Sequence, residues 1–153
     1  MECLTCKSLS GEKRISPGPF IYESKFWIVE HAYPTKLKGW LVIVLKRHCK
    51  ALHELNKEEF IELGEITYKV VKALHEVLGT EKEYSVCFAE KEYFNHIHFH
   101  MIPRSKDLPG ELKGTNIFSM LKIDEEHAVP KNEVIEICMK LKMFFSKTFG
   151  SAS

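Results

Sequence analysis

The segment Asn95-His96-Ile97-His98-Phe99-His100-Met101-Ile102-Pro103-Arg104 sets three imidazoles two residues apart. Side chains on a β-strand alternate between faces, so His96, His98 and His100 are expected on one face. Ile97, Phe99 and Met101 then share the other face, which should be the core. Neighbouring histidines in such a row stand about 6.5–7 Å apart and can work on one substrate group together. The outer two stand about 13 Å apart, too far to share one metal ion. Three chemistries stay open: nucleophilic and acid–base work by the row, a catalytic metal held by two of its members, or an exposed polar strand face. The first is adopted, because neutral imidazole is a competent nucleophile near pH 7 and can accept a nucleotidyl or phosphoryl group covalently.

A second reactive group is the pair Cys3-x-x-Cys6. The first residues lack a basic stretch followed by an apolar one, so no export leader is expected and the setting reads as cytoplasmic. The count of five cysteines is odd and argues against a closed disulfide framework. In a reducing compartment such a pair is more often metal-binding or redox-active than a structural disulfide. Two free thiols on a frayed arm are the bland alternative. Cys49, Cys87 and Cys138 are expected as small buried apolar residues.

The elements that must position these groups follow from pattern. Residues 1–19 carry the cysteine pair and a Ser/Gly/Pro-rich stretch, and are expected as irregular arm and loop. Phe20–Tyr22 and Phe26–Val29 form a short hairpin. Trp40–Leu45 is a buried strand by its length and branched side chains. Asn56 caps a long helix, with Glu59 three residues on completing a capping box. Leu63, Ile66, Val70, Leu74 and Val77 make its apolar stripe, and Gly79 ends it. Tyr84–Ala89 and His96–Ile102 are strands joined by about six residues, too few for a parallel crossover. A loop-rich stretch over 104–129 holds one helical turn near Ile117–Leu121. Pro130 opens a last helix, whose inward stripe is Val134, Cys138, Leu141 and Phe145.

The fold class is therefore α+β: an antiparallel sheet of about five strands with one long central helix and a C-terminal helix. The 153 residues fit a single domain, with 1–19 as arm and 104–153 as loop plus helix. Apolar residues make up 44% and charged residues 28%, as in ordinary globular chains. No run approaches the roughly 20 apolar residues of a membrane crossing. A net charge of +1 gives no strong signal for nucleic acid or an anionic surface.

The histidine row resembles the His-φ-His-φ-His-φ-φ signature of the histidine triad (HIT) superfamily of nucleotide hydrolases and transferases. The resemblance runs from about Cys3 to Arg104. Supporting elements are the cysteine arm, Val29-Glu30-His31, the Gly39–His48 segment ending Lys46-Arg47-His48, and the helix beginning at Asn56. The resemblance implies that His98 attacks an α-phosphorus and carries the nucleotidyl group, while His100 bonds phosphate oxygens or the departing group. The substrate would be a nucleoside phosphate derivative, such as a dinucleoside polyphosphate or a nucleoside phosphoramidate. It implies a structural zinc held by Cys3, Cys6, His48 and His96, and a homodimer. No organic cofactor is implied. Further substrate contacts fall on Glu30 for ribose, Asn95 as an amide donor and Arg104 as a phosphate partner, each weighed against an ordinary structural or surface role.

Two positions depart from the family pattern. Gly39 is followed by Trp40 where many members carry histidine, and Trp40 is expected in the core or an interface. Ala89 stands where relatives use a polar residue near the phosphate. These departures keep a second reading in view, a nucleotide-binding regulatory module with little turnover. A metal-dependent hydrolase using the row as ligands is the third.

Overall fold

Asn56 starts the helix α2 (Lys57–Leu78) by a reciprocal cap. Its side chain accepts the Glu59 N–H at 2.9 Å, and the Glu59 carboxylate accepts the Asn56 N–H at 2.9 Å. Arg47 then grips the same carboxylate through two N–H···O bonds of 2.8 and 2.9 Å. Gly79 closes the helix in the left-handed region, at φ +66°, where only glycine carries no Cβ penalty. Leu63, Ile66, Val70, Ala73 and Leu74 form the buried stripe between these caps.

The computed structural model describes residues 2–150. Its strands are β1 (Tyr22–Glu23), β2 (Trp27–His31), β3 (Leu41–Leu45), β4 (Lys82–Val86) and β5 (His98–Arg104). They form one antiparallel sheet in the order β1-β2-β3-β5-β4. The helix α2 and the C-terminal helix α3 (Lys131–Phe149) bury one face of it. Trp27, Val29, Leu41, Ile43, Leu45 and Met101 meet Leu63, Ile66, Val134, Leu141 and Phe145 there. Each such large side chain gains about 2 kcal/mol on leaving water. No helix among the described residues is long and apolar enough to cross a membrane.

Several boundaries differ from expectation. The arm is not irregular throughout: Leu4–Ser10 is a short helix, α1, capped by the Cys3 sulfur, which accepts the Cys6 N–H at 3.3 Å. The arm docks on the β4–β5 loop through the Leu4 N–H, which donates to the Tyr93 carbonyl at 2.8 Å. The strand β4 is Lys82–Val86 rather than Tyr84–Ala89, because pairing with β5 starts at Lys82 opposite Arg104 and ends at Val86 opposite His100. Ala89 and Tyr93 have φ of +53° and +69°, which turns the connecting loop out of the sheet. The strand β5 begins at His98 and runs on through Pro103 to Arg104. His96 lies just before it. Cys49 and Cys138 are buried as expected, whereas Cys87 is half-buried.

Candidate functional site

The face of the sheet away from α2 and α3 carries Glu30, Val42, Val44, His98 and His100. Register fixes this set: Glu30 stands opposite Val42, Val42 opposite His100, and Val44 opposite His98. These residues floor a cavity of about 550 Å³. That is the size range of small-molecule sites. Thr5, Ser8, Ile15 and Ser16 of the arm wall one side; Phe88, Ala89, Phe94 and Phe118 wall the others. A shallower depression of about 700 Å³ adjoins it beside Lys36, Asp124 and His127, and contains no triad histidine.

Hydrogen bonds fix the ring states of the row. The His98 Nδ1–H donates to the His96 carbonyl at 2.7 Å. A carbonyl only accepts, so the proton of neutral His98 is on Nδ1, and Nε2 keeps its lone pair. His100 has the opposite tautomer. The Trp40 indole N–H donates to His100 Nδ1 at 3.0 Å. An indole nitrogen only donates, so neutral His100 carries its proton on Nε2. Burial lowers the pKa of His98, and burial together with the neighbouring His98 pushes His100 down to about 3. Both rings are neutral at physiological pH. Their centroids lie 4.9 Å apart.

His96 turns away from this pair. It is fully buried, and its Nε2–H donates to the Leu45 carbonyl at 2.7 Å. Its bare Nδ1 lies 3.6 Å from Cys3 Sγ, 3.5 Å from Cys6 Sγ and 3.3 Å from His48 Nδ1. His48 Nδ1 lies 3.4 Å from Cys6 Sγ. The four side chains make one group whose donor atoms all fall within 4.8 Å of one another, a set able to hold a metal ion. Among the described residues, His98 and His100 belong to no such group. The row is thus divided: one histidine faces the cysteines and two face the cavity.

The remaining expected residues separate. Glu30 is buried in the cavity floor. Burial raises its pKa, and the Arg14 guanidinium, donating at 2.8 Å, opposes that. Asn95 is half-buried and does not line the cavity. Arg104 lies at the far end of β5, six residues or about 20 Å beyond His98, and does not line it either. His31 is buried: its Nδ1–H donates to the Ala32 carbonyl and its Nε2 accepts the Gly39 N–H at 2.9 Å. Trp40 is fully buried, as expected for a core residue, and in addition bonds the triad.

Pattern reading missed three contributors. Arg14 reaches Glu30 across sixteen residues, with no local signal to pair them. Ser16 lines the cavity with a buried hydroxyl that has no hydrogen-bond partner among the described residues. Phe118 packs edge-on against both Trp40 and His100, at 5.3 and 5.0 Å between centroids. Only its place in the expected helical turn near Ile117 was a hint.

Comparison with known proteins agrees with this geometry. The family profile described as "Scavenger mRNA decapping enzyme C-term binding" matches residues 2–115. The chain is 24% identical over 111 residues to the adenosine 5′-monophosphoramidase hnt1 of Schizosaccharomyces pombe, covering 70% of this chain and 77% of that protein. It is 28% identical over 130 residues to an uncharacterised HIT-like protein of Methanocaldococcus jannaschii, covering 78% and 96%. Its fold is similar to that of a HIT-like protein of Bartonella henselae, with a TM-score of 0.70, 17% identity, and 92% and 94% of the two chains covered. A zinc-bound histidine triad family protein of Mycobacterium smegmatis gives a TM-score of 0.59 at 19% identity, covering 92% and 96%. With a family profile matched over well more than half its length and the triad set on its sheet as described, the chain belongs to the histidine triad superfamily.

Proposed function

We propose that the protein is a nucleotidyl hydrolase or transferase acting at the α-phosphate of a nucleoside phosphate derivative. The observation that carries this is His98: its Nδ1–H is tied to a carbonyl, and the free Nε2 belongs to a side chain in the cavity floor. A bare ring nitrogen held in one direction is a prepared nucleophile. His98 Nε2 bonds to the α-phosphorus as the bond to the leaving group breaks with its electron pair. Water then attacks the nucleotidyl-histidine, releases the nucleoside monophosphate and restores the ring. The His100 Nε2–H donates to a phosphoryl oxygen as charge builds there, the role in which a fixed donor helps most. The apolar walls of Ile15, Phe88, Phe94 and Phe118 suit a base. Glu30 and the unpartnered Ser16 hydroxyl suit sugar hydroxyls. The protein works as a homodimer in the cytoplasm.

We further propose that the cluster of Cys3, Cys6, His48 and His96 holds a structural zinc ion. For zinc–sulfur bonds of 2.3 Å and zinc–nitrogen bonds near 2.05 Å, tetrahedral edges are about 3.5 Å for N···S and about 3.3 Å for N···N. The separations of 3.4–3.6 Å and 3.3 Å agree with those edges. The Leu45 carbonyl on the far nitrogen of His96 is the outer partner that ligating histidines use. In the absence of a cation, burial and the neighbouring Cys3 push the Cys6 thiol up to about 11. A divalent ion reverses that preference. Zinc here would pin the arm, and so the cavity wall, to the start of β5.

The test is a turnover screen of dinucleoside polyphosphates and nucleoside phosphoramidates, with His98→Ala as the blank. Release of nucleoside monophosphate by the wild type and not by the variant is expected. Tight nucleotide binding without release would instead favour the regulatory-module reading.

A further inference from the structure

The state of His100 has a consequence for which bonds the site can cut. The ring is held between two different environments. On one side Nδ1 accepts the Trp40 indole N–H at 3.0 Å. Trp40 is fully buried, and Ile102, Leu108 and Ile117 pack with it in an apolar cluster beside the triad on the same face of the sheet. On the other side His100 lines the cavity, and among the described residues its Nε2 has no hydrogen-bond partner. An indole N–H does not titrate in water, so it is a permanent donor. It blocks a proton from settling on Nδ1 and, because it does not titrate, passes none to the ring.

We infer that Trp40 is a positioning residue that locks His100 as a neutral Nε2–H donor, and that this makes the site selective for leaving groups that depart as anions, phosphoanhydrides over phosphoramidates. The selectivity rests on the hydrolase reading above; the tautomer does not.

The chemistry follows from where the electron pair goes. When His98 Nε2 bonds to phosphorus and a P–O bond to a polyphosphate breaks, the pair stays on a phosphate oxygen, and the group leaves without a proton. A P–N bond is different. Its nitrogen must gain a proton as it departs, or it leaves as a strongly basic amide anion. The ring N–H facing the cavity is that of His100. Giving it up would turn a neutral ring with a bare Nδ1 into an imidazolate, a high-energy anion, in a low-dielectric pocket. A histidine that could load a second proton on Nδ1 would act as an acid; the indole prevents this. The other side-chain N–H groups of the lining do not serve: Lys91 and Lys122 are exposed and hydrogen-bond to neither histidine, and buried His31 spends its Nδ1–H on the Ala32 carbonyl and its Nε2 on the Gly39 N–H. His100 can therefore hold a phosphoryl oxygen but cannot hand a proton to an amine.

Two readouts test this on the full-length protein. The first is nitrogen-15 NMR of the histidine rings, with His100 assigned by His100→Gln. Wild type should show a protonated Nε2 and a bare Nδ1, and Trp40→Phe, which keeps a ring but removes the donor, should yield mixed tautomers. An Nδ1–H tautomer in wild type, or no change in a folded Trp40→Phe, overturns the assignment. The wild-type spectrum decides alone if the variant does not fold. The second readout is kcat/KM for a dinucleoside triphosphate and a nucleoside 5′-phosphoramidate of the same base. Wild type should favour the anhydride by at least about 100-fold, a difference expected from missing general-acid assistance. Trp40→His supplies an N–H partner that can itself exchange protons, and should raise amidate turnover about tenfold with the gain confined to kcat. Equal or better amidate turnover by wild type overturns the selectivity. If wild type cleaves neither substrate while His100 keeps the Nε2–H form, the hydrolase reading and the selectivity fall together, and the Trp40 assignment stands.

Discussion

The main-chain carbonyl of His96 accepts the His98 Nδ1–H across 2.7 Å. A residue of the Cys/His cluster thus orients the residue that faces the cavity, although the two imidazoles point to different places. A change in the cluster can reach the nucleophile through two residues of backbone.

His98→Ala should lower nucleoside monophosphate release by about 10³-fold or more, as removal of a nucleophile does. Nucleotide affinity should change far less, because the cavity walls remain. Rapid acid-free quenching of the wild type during turnover should trap a phosphorus–nitrogen adduct on His98. Substrate consumption at full rate with no adduct at any quench time would sink the covalent route.

Removing the cluster ligands should release the metal and loosen the arm. With free zinc at 1,000 times Kd, the site contributes about 4 kcal/mol. In a chain of this size the double change Cys3→Ser, Cys6→Ser should lower Tm by about 10 °C. Elemental analysis should find about one zinc per chain in wild type and His98→Ala, and none in the double variant. Equal metal content in all three would remove the zinc assignment.

His31 makes stability depend on pH. Burial lowers its pKa from 6.5 to about 4. The unfolded chain therefore takes up a proton below pH 6.5 that the folded chain refuses until about pH 4. The contribution of neutral His31 is complete above pH 6.5 and is lost as pH falls through that window, by about 3 kcal/mol in all. His31→Gln keeps an acceptor for the Gly39 N–H and does not titrate. Its urea midpoint should fall less steeply between pH 6.5 and 4 than that of wild type. The depressed histidines of the triad keep part of the slope in both proteins.

The start of α2 offers a graded stability test. Asn56→Ala removes one cap and should cost about 1 kcal/mol. Glu59→Ala removes the partner of the Asn56 N–H and strips Arg47 of its bidentate acceptor. It should cost more, about 2–3 kcal/mol. Urea unfolding should rank the two in that order with unchanged turnover.

What was legible in the sequence was what neighbours in the chain decide. Asn56, Glu59 and Gly79 sit within one turn of the helix ends they define, so α2 could be placed to the residue. The alternation of Ile97, Phe99 and Met101 against His98 and His100 assigned the faces of β5 correctly. The strand ends could not be placed that way. His96 leaves the ladder because its ring and the neighbouring Ile97 backbone are claimed by Leu45 and Cys49, residues about fifty positions earlier. The helix α1 is too short to persist on local propensity and is held by contacts to Tyr93, His48 and His96. The Arg14–Glu30 pair and the Trp40–His100 bond belong to the same class. Sequence pattern drew attention to Glu30, Trp40 and His100 and gave no sign of Arg14, and only the tertiary fold brought each pair together.

The arm also sets an order of assembly. Cys3 and Cys6 leave the ribosome some ninety residues ahead of one of their partners, His96. Domains acquire structure as their chain emerges, and contacts far apart in sequence form late. The arm's wall of the cavity is therefore synthesised well before the residue that seats it. Until the triad strand has been made, the two thiols lack the histidine that completes their cluster.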